Sequence, residues 1–474
     1  MEKIFRKPGD NPSHPYMLKV AFTGTAAANI KGQTLHSAFS FSFGNEFFSL
    51  GDKSRDEKRT ILENLMAVIV DEYSMIKADM LYQLDLRLKE IKERTDLHFG
   101  GVAVFFFGDL LQLRPVRARY IFEEPMCEKY QLSFLADPLW EKFDIVMLIQ
   151  NHRQGEDKDY ADMLNRIRVG NLQDYDIKQL EERVRPVNHP DIPKDALVVT
   201  CKNADVNQIN EERLSDIDMP EYFIEASTKS QTQKSIKAYT DSSGAIRNTP
   251  LQKILKLKVR SRVMLTFNID TCDSLTNGTF GEILGFEFYK FGNVAQVIVN
   301  FDNGECGKER RKNFIELQRK YVGHLATPIE KIEFHYSLSK KSLSAPATAT
   351  ATQFPLRLAF AATSHKIQGS TIKKPNKLVI DLRSVMEAAQ AYVMLSRIQA
   401  LSQLIILVAV CSKKIYSSAK ALNELDRIAN LAINTNNNKR SIVSCNIRSL
   451  NKHFKDFHSS PKVEYADAIC LQET

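Results

Sequence analysis

The chain has 474 residues, enough for about three domains, and 43% of them are hydrophobic, which excludes a globally disordered polypeptide. A formal net charge of +8 permits a nucleic-acid partner without requiring one. Seven scattered cysteines with no Cys-x-x-Cys pair exclude a disulfide framework and a zinc ribbon, and fit a reducing compartment, nuclear or otherwise intracellular.

Met1 to Pro15 is polar, holds three prolines and has no apolar signal core. Three apolar runs follow, each ending abruptly in small or acidic residues. Leu18 to Phe22 leads into Thr23-Gly24-Thr25, Met66 to Val70 into Asp71-Glu72, and Val102 to Phe107 into Gly108-Asp109. A helical pattern covers Met80 to Arg94. This alternation predicts an α/β domain with a buried, mostly parallel sheet. Ligands on such sheets bind beyond the carboxyl ends of the strands, where these acids and glycines fall.

Past Asn165 the texture changes. Thr228 to Thr249 is polar, and Arg262 to Asn300 carries short strands with Asn-Gly and Asp-Asn-Gly turns, predicting a small β barrel. The basic run Lys308-Glu309-Arg310-Arg311-Lys312 reads as solvated surface. Ala345 to Thr352 reads as a linker. An α/β pattern resumes at Leu356. Leu401 to Cys411 is too short and mixed to span a bilayer and reads as a buried strand, so no membrane partner is expected. Asn434 to Arg440 reads as a second linker.

The strand ends carry the chemistry. ATP hydrolysis needs one carboxylate to hold Mg²⁺ and a second to orient or deprotonate water. Asp71 and Glu72 can supply both, although many strands end in acids for solubility alone. Gln112, in Gly108-Asp109-Leu110-Leu111-Gln112, can contact both the attacking water and the terminal phosphate. Arg153 and Arg397 are of the type that stabilises charge spreading over that phosphate. His365-Lys366-Ile367-Gln368-Gly369-Ser370-Thr371 suits contact with a phosphate backbone or a nucleotide.

In this order, Leu18 to Cys411 resembles the RecD-related and petite-integration-frequency helicases of superfamily one. The resemblance implies two RecA-like parallel-sheet domains with an inserted SH3-like β barrel. The first domain is expected at residues 1–163, with a small wedge at about 38–64. The second is expected at 164–433, with the barrel at about 260–345. The implied cofactors are ATP and Mg²⁺, and the implied partner is single-stranded DNA, tracked 5′ to 3′. Asp71 and Glu72 match the Walker B acids, with Asp71 on Mg²⁺. Gln112 matches the phosphate sensor, and Arg153 and Arg397 match the arginine fingers. Gln368 and Gly369 are expected at the nucleotide, and Thr25, His36, His365 and Lys366 along the DNA.

The family's phosphate loop, Gly-x-x-x-x-Gly-Lys-Ser/Thr, occurs nowhere in this sequence. The expectation is a chain truncated at its start and inactive in ATP hydrolysis. A different class of reading stays open beside it, that of a non-catalytic DNA-binding remnant. Residues 434–474 resemble the opening of an endonuclease/exonuclease/phosphatase fold, in which Asn446 and Glu473 would match a vestigial metal site. A helicase followed by such a segment resembles the replicative protein of Helitron-type transposons, the Helentron branch in particular. A cut nuclease fold leaves this tail expected to pack poorly.

Overall fold

The computed structural model describes residues 9–11, 13–41, 45–148, 151–187, 189–230, 240–241, 244–337, 348–436 and 468–472. The chain forms two compact units. Unit 1 contains Met1–Lys178, Glu387–Leu401 and Cys411–Thr474, and unit 2 contains Gln179–Met386 and Ser402–Val410.

In unit 1, the strands β1 (Met17–Ala21), β2 (Gln33–Thr34), β3 (Ala67–Asp71), β4 (Ala103–Gly108) and β5 (Asp144–Met147) belong to one sheet. β1 pairs in parallel with β2 and β3, and β3 with β4. Both sheet faces are covered, so these strands read as unbroken apolar runs rather than alternating ones. Val68, Val70, Val104 and Phe106 are fully buried, and the helix Ala78–Lys92 packs Leu81, Leu84 and Leu88 into the same core. Tyr73, Phe106, Trp140 and Phe143 form a contiguous aromatic cluster below the carboxyl ends of β3 and β4.

Unit 2 has a parallel sheet built from β6 (Leu197–Thr200), whose partners lie far along the chain. Between them comes the antiparallel insert: β7 (Tyr222–Glu225), β8 (Ser227–Ser230), β9 (Ile254–Leu257), β10 (Arg262–Leu265), β11 (Phe280–Phe288), β12 (Val294–Phe301), β13 (Ala326–Ile329), β14 (Ile332–Ser337), β15 (Thr348–Gln353) and β16 (Leu356–Leu358). The parallel sheet is completed by β17 (Ala361–Thr363), β18 (Leu378–Ile380) and β19 (Leu404–Ile406), in the order β17-β6-β18-β19. The insert forms a five-stranded sheet, β13-β12-β11-β10-β16, a three-stranded sheet, β14-β15-β8, and the pair β7-β9. The expected strands around Val263, Ile283 and Val297 are present, and all three residues are fully buried.

Two expectations change. Ala345 to Thr352 is not simply a linker, because Thr348–Gln353 is a strand paired on both sides, with Ala349, Ala351 and Gln353 buried on one face. The tail expectation also fails for one segment. The last strand, β20 (Ala468–Gln472), joins the unit 1 sheet between β4 and β5, parallel to both. Asn446 and Glu473 lie outside the described residues. The compact units divide the chain at Lys178/Gln179, and Glu387–Leu401 belongs to unit 1.

Phe106 is fully buried at the centre of the unit 1 core. Phe106→Ala should therefore lower stability by about 3–5 kcal/mol, read as a lower urea midpoint with an unchanged denaturant slope.

Candidate nucleotide and nucleic-acid site

Asp71 ends β3 in register with Phe107, so it stands beside Gly108 and Asp109 at the ligand-facing end of the sheet. Glu72 follows in the left-handed region, at φ 54° and ψ 48°. Its backbone N–H donates to Asp71 Oδ1 at 3.0 Å, which holds the Asp71 carboxylate against the turn that follows it. Gly108 is required by space, because a Cβ there would lie 2.9 Å from the Tyr73 ring and 3.0 Å from its backbone nitrogen.

The turn after Gly108 is tightly held. Asp109 is 1% exposed and takes a two-pronged ion pair from Arg168, with Nε on Oδ2 at 2.7 Å and Nη2 on Oδ1 at 2.8 Å. Oδ1 also accepts the Leu111 N–H at 2.9 Å, and the Gln112 N–H reaches the Asp109 carbonyl at 3.0 Å. Burial would push the Arg168 pKa down, but the Asp109 carboxylate outweighs it and carries the pKa up. Gln112 is 8% exposed, and among the described residues its side-chain Oε1 accepts no hydrogen bond. Leaving a buried acceptor unmet is costly. An O–H or N–H donor from a ligand or its attacking water would satisfy it.

The two predicted arginines are brought together within unit 1. Arg153 donates from Nη1 to the Ser396 carbonyl at 3.0 Å, and Gln154 donates to the Ile398 carbonyl at 2.6 Å. Arg397 is 1% exposed, and the preceding helix, Gln390–Leu395, accepts its Nε–H at the Val393 carbonyl, 2.9 Å away. Its guanidinium is thus turned into protein. Tyr392 senses the whole group. Burial pushes its pKa up to about 12, Asp109 adds to this, and Arg168, Arg397 and Arg153 oppose it.

Thr25 and His36 follow the carboxyl end of β1. The Thr23 hydroxyl caps the helix Gly24–Asn29 by accepting the Ala26 N–H at 3.2 Å, and Thr25 sits on that helix half-buried. His36 lies edge-on to Phe22 and Phe41. In unit 2, His365 and Lys366 lie on the short helix Ser364–Ile367, directly after β17. Gln368 is buried, and Gly369 adopts φ 79°.

Sequence reasoning missed Arg168. Its signal was an arginine on the apolar stripe Tyr160, Met163, Leu164 and Ile167 of the helix Lys158–Arg168. The basic run is also less free than expected. Arg311 is buried on the carbonyls of Cys306 and Gly304, and Lys308 and Lys312 pair with Glu305 and Glu309. Among the described residues no cluster of three or more metal-ligating side chains occurs, and no helix is long and apolar enough to cross a membrane.

The ends of β3 and β4 in this parallel sheet thus carry paired acids and a buried glutamine, on the side where ligands of such sheets bind. Residues 11–178 match the model of the PIF1-like helicases. The chain is 27% identical over 426 residues to the ATP-dependent DNA helicase PIF1 of Emericella nidulans, covering 84% of this chain and 55% of that protein. It is 29% identical over 386 residues to the ATP-dependent DNA helicase Pif1 of Bdellovibrio bacteriovorus, covering 80% of this chain and 75% of that one. The crystal structure of Pif1 helicase from Bacteroides in complex with ADP-AlF3 and ssDNA is 26% identical. It covers 90% of each chain, with a TM-score of 0.65. On these matches residues 11–178 are similar to the PIF1-like helicases, and most of the chain is similar to proteins that carry that name. It spans about half the length of the Emericella nidulans relative.

Burial, and secondarily Lys77, lowers the His36 pKa. A lowered folded pKa means that the unfolded chain binds the proton more readily below about pH 6.5. Stability from this group is therefore present above that pH and is lost as pH falls from there through the folded pKa. A His36 ring resonance titrating below 6.5, and a pH dependence of stability in this window that vanishes in His36→Gln, are the expected results.

Proposed function

We propose that this chain carries the motor of an ATP-dependent DNA helicase that moves 5′ to 3′ along single-stranded DNA, with the direction taken from the family it resembles. The observation that carries this reading is the sheet edge where Asp71, Glu72 and Gly108 meet a turn holding the unsatisfied Gln112 oxygen. ATP with Mg²⁺ supplies the phosphoanhydride bond whose cleavage drives movement. Asp71 would hold a Mg²⁺ that neutralises phosphate charge, and Glu72 would orient or deprotonate the attacking water. Gln112 reads the γ-phosphate and that water, and Arg153 and Arg397 counter the developing charge. Because Arg397 is interior, it must turn outward to act. Gln368 and Gly369 contribute to nucleotide binding from unit 2. Thr25 and His36 of unit 1, and His365 and Lys366 of unit 2, are the proposed DNA contacts, and in this reading the insert of unit 2 is an SH3-like barrel. The partner resembles that of the Bacteroides Pif1 crystallised with ssDNA.

A second reading is favoured by one specific feature, the lack of any Gly-x-x-x-x-Gly-Lys-Ser/Thr in the sequence. The chain by itself is then a DNA-binding remnant whose hydrolysis is slow, because the backbone donors and lysine that cradle the phosphates are supplied elsewhere. Losing even one preorganised donor costs on the order of 10²–10³ in rate. The Helentron origin is proposed on the motif order and on the sequence of the tail, including Asn446 and Glu473.

DNA-stimulated phosphate release separates these readings. Turnover well below about 1 s⁻¹ is expected for the chain as given, rising when a family phosphate-loop segment is grafted on and falling again with Glu72→Gln. Turnover at or above that rate without the graft would refute the inactivity. No turnover with the graft would refute the motor assignment. Binding to single-stranded DNA should show little sequence preference and a log–log salt slope of about −0.7 per phosphate neutralised. Strong sequence selectivity in the titration would contradict it.

A further inference from the structure

In unit 2, β18 and β19 run parallel with Leu378 level with Leu404, so Lys377 and Ser402 stand at the amino ends of these strands. His365 and Lys366 follow the carboxyl end of β17, at the opposite edge of the same sheet. The segment Arg183-Val184-Arg185 extends the sheet beyond β19. Val184 pairs in parallel with Ile406, the Ile406 N–H donates to the Arg183 carbonyl at 3.0 Å, and the Arg185 N–H donates to the Ile406 carbonyl at 2.8 Å. Alternate residues of an extended segment face the same way, so this pairing brings Arg183 and Arg185 to one side.

An open cleft of about 300 Å³ lies there, walled by Arg183, Arg185, Lys377 and the buried Leu404 and Ile405. Among the described residues Asp191 is the sole acid on its wall, and it accepts the Arg185 Nε–H at 3.2 Å. Arg185 is further committed to the carbonyls of Glu182 and Val184. The other two cations have no such commitment. Lys377 is half-buried and gives one bond, to the Ser402 carbonyl at 2.6 Å. Arg183 is half-buried too, and its Nε meets no acceptor among the described residues. Its guanidinium therefore has no structural partner to give up, and a small turn of the side chain presents it to an anion. A compact space of this volume is roughly 8 Å across, about one Debye length at physiological salt. Salt thus does little to screen the two charges from each other, and an anion between them relieves their repulsion.

A solvated crevice between surface cations is the bland alternative, but it leaves the half-buried Arg183 side chain with nothing to hold it. A guanidinium offers two parallel donors to neighbouring oxygens, and an ammonium offers a compact point charge to a third, which suits a phosphate group. The volume is at the lower end of the roughly 300–1,000 Å³ typical of ligand pockets. It admits a phosphate with a sugar against Leu404 and Ile405.

We propose that this cleft is a phosphate-binding site in which Arg183 and Lys377 hold one phosphate group, carried by a nucleic-acid strand or free as a small phosphate, with the Arg185–Asp191 pair as its rim. It stands apart from the helicase reading, because it uses none of the residues proposed to contact nucleotide or DNA.

Amine footprinting of the full chain tests it. Acetylation of Lys377 is read by peptide mass in chloride, in inorganic phosphate and in single-stranded oligothymidylate, all at one ionic strength. With phosphate at ten times its Kd, Lys377 should react about tenfold more slowly than in chloride, the factor 1 + [L]/Kd. The exposed Lys290, in the turn between β11 and β12, should change less than about twofold. Arg183→Gln should abolish the Lys377 protection. If oligothymidylate also protects Lys377, a strand is a source of the phosphate; if inorganic phosphate alone protects, the source is a small molecule, and both results support the site. Equal reactivity of Lys377 in phosphate and chloride overturns it in the unaltered chain, whether or not the variant folds. Equal slowing of Lys290, protection by oligothymidylate alone, or protection undiminished in a folded Arg183→Gln chain overturns it as well.

Discussion

Arg168 lays the edge of its guanidinium on the Asp109 carboxylate in an interior from which water is excluded, at 7% and 1% side-chain exposure. Removing two charges from water is costly, and the cost is offset only when geometry and further hydrogen bonds are good. Here both conditions hold. The pair is two-pronged, and the same carboxylate accepts the Leu111 N–H. The ion pair therefore fixes more than itself. It sets the turn that follows β4, and through that turn the position of Gln112.

The other end of the same helix ties down a second segment. Asp157, its N-cap, accepts the Leu401 N–H at 3.0 Å, and the Tyr160 hydroxyl donates to the Leu395 carbonyl at 2.7 Å. Residues 395–401, with Arg397 among them, are thereby fastened to the helix that holds Asp109. One rigid element thus connects the glutamine at the strand end with the interior arginine. A force that drew either outward would load the other through this helix.

Much of this was legible in the sequence because buried parallel strands leave strong signatures. The runs before Asp71 and Gly108 could only be covered strands, and their polar ends marked the ligand side. What escaped notice depended on long-range partners. Arg168 sits 59 positions from Asp109, so nothing local in the sequence pairs the two. Gln390–Ile398 lies between β18 and β19 of the second parallel sheet in sequence order, but its hydrogen bonds run to Arg153, Gln154 and Tyr160, which returns it to unit 1. Thr348–Gln353 was misread from composition. Its alternation of threonine and alanine has the period of a strand, and burial of every second residue shows that pattern outweighing the linker-like content. β20 could not be foreseen, since strand pairing between residues some 360 apart leaves no local trace.

The central claim is that Asp109 and Arg168 organise the site as one unit, and a double-mutant cycle tests it most directly. Asp109→Asn and Arg168→Met should each cost about 3–5 kcal/mol, because each strands a buried charge. The double variant should cost clearly less than their sum, with a coupling near the upper end of the roughly 0.5–3 kcal/mol range for contacting residues. Each single variant should also speed exchange of the Leu111 amide. Additivity within about 0.5 kcal/mol, with the Leu111 amide unchanged, would show that the turn is held by something else and would contradict the account.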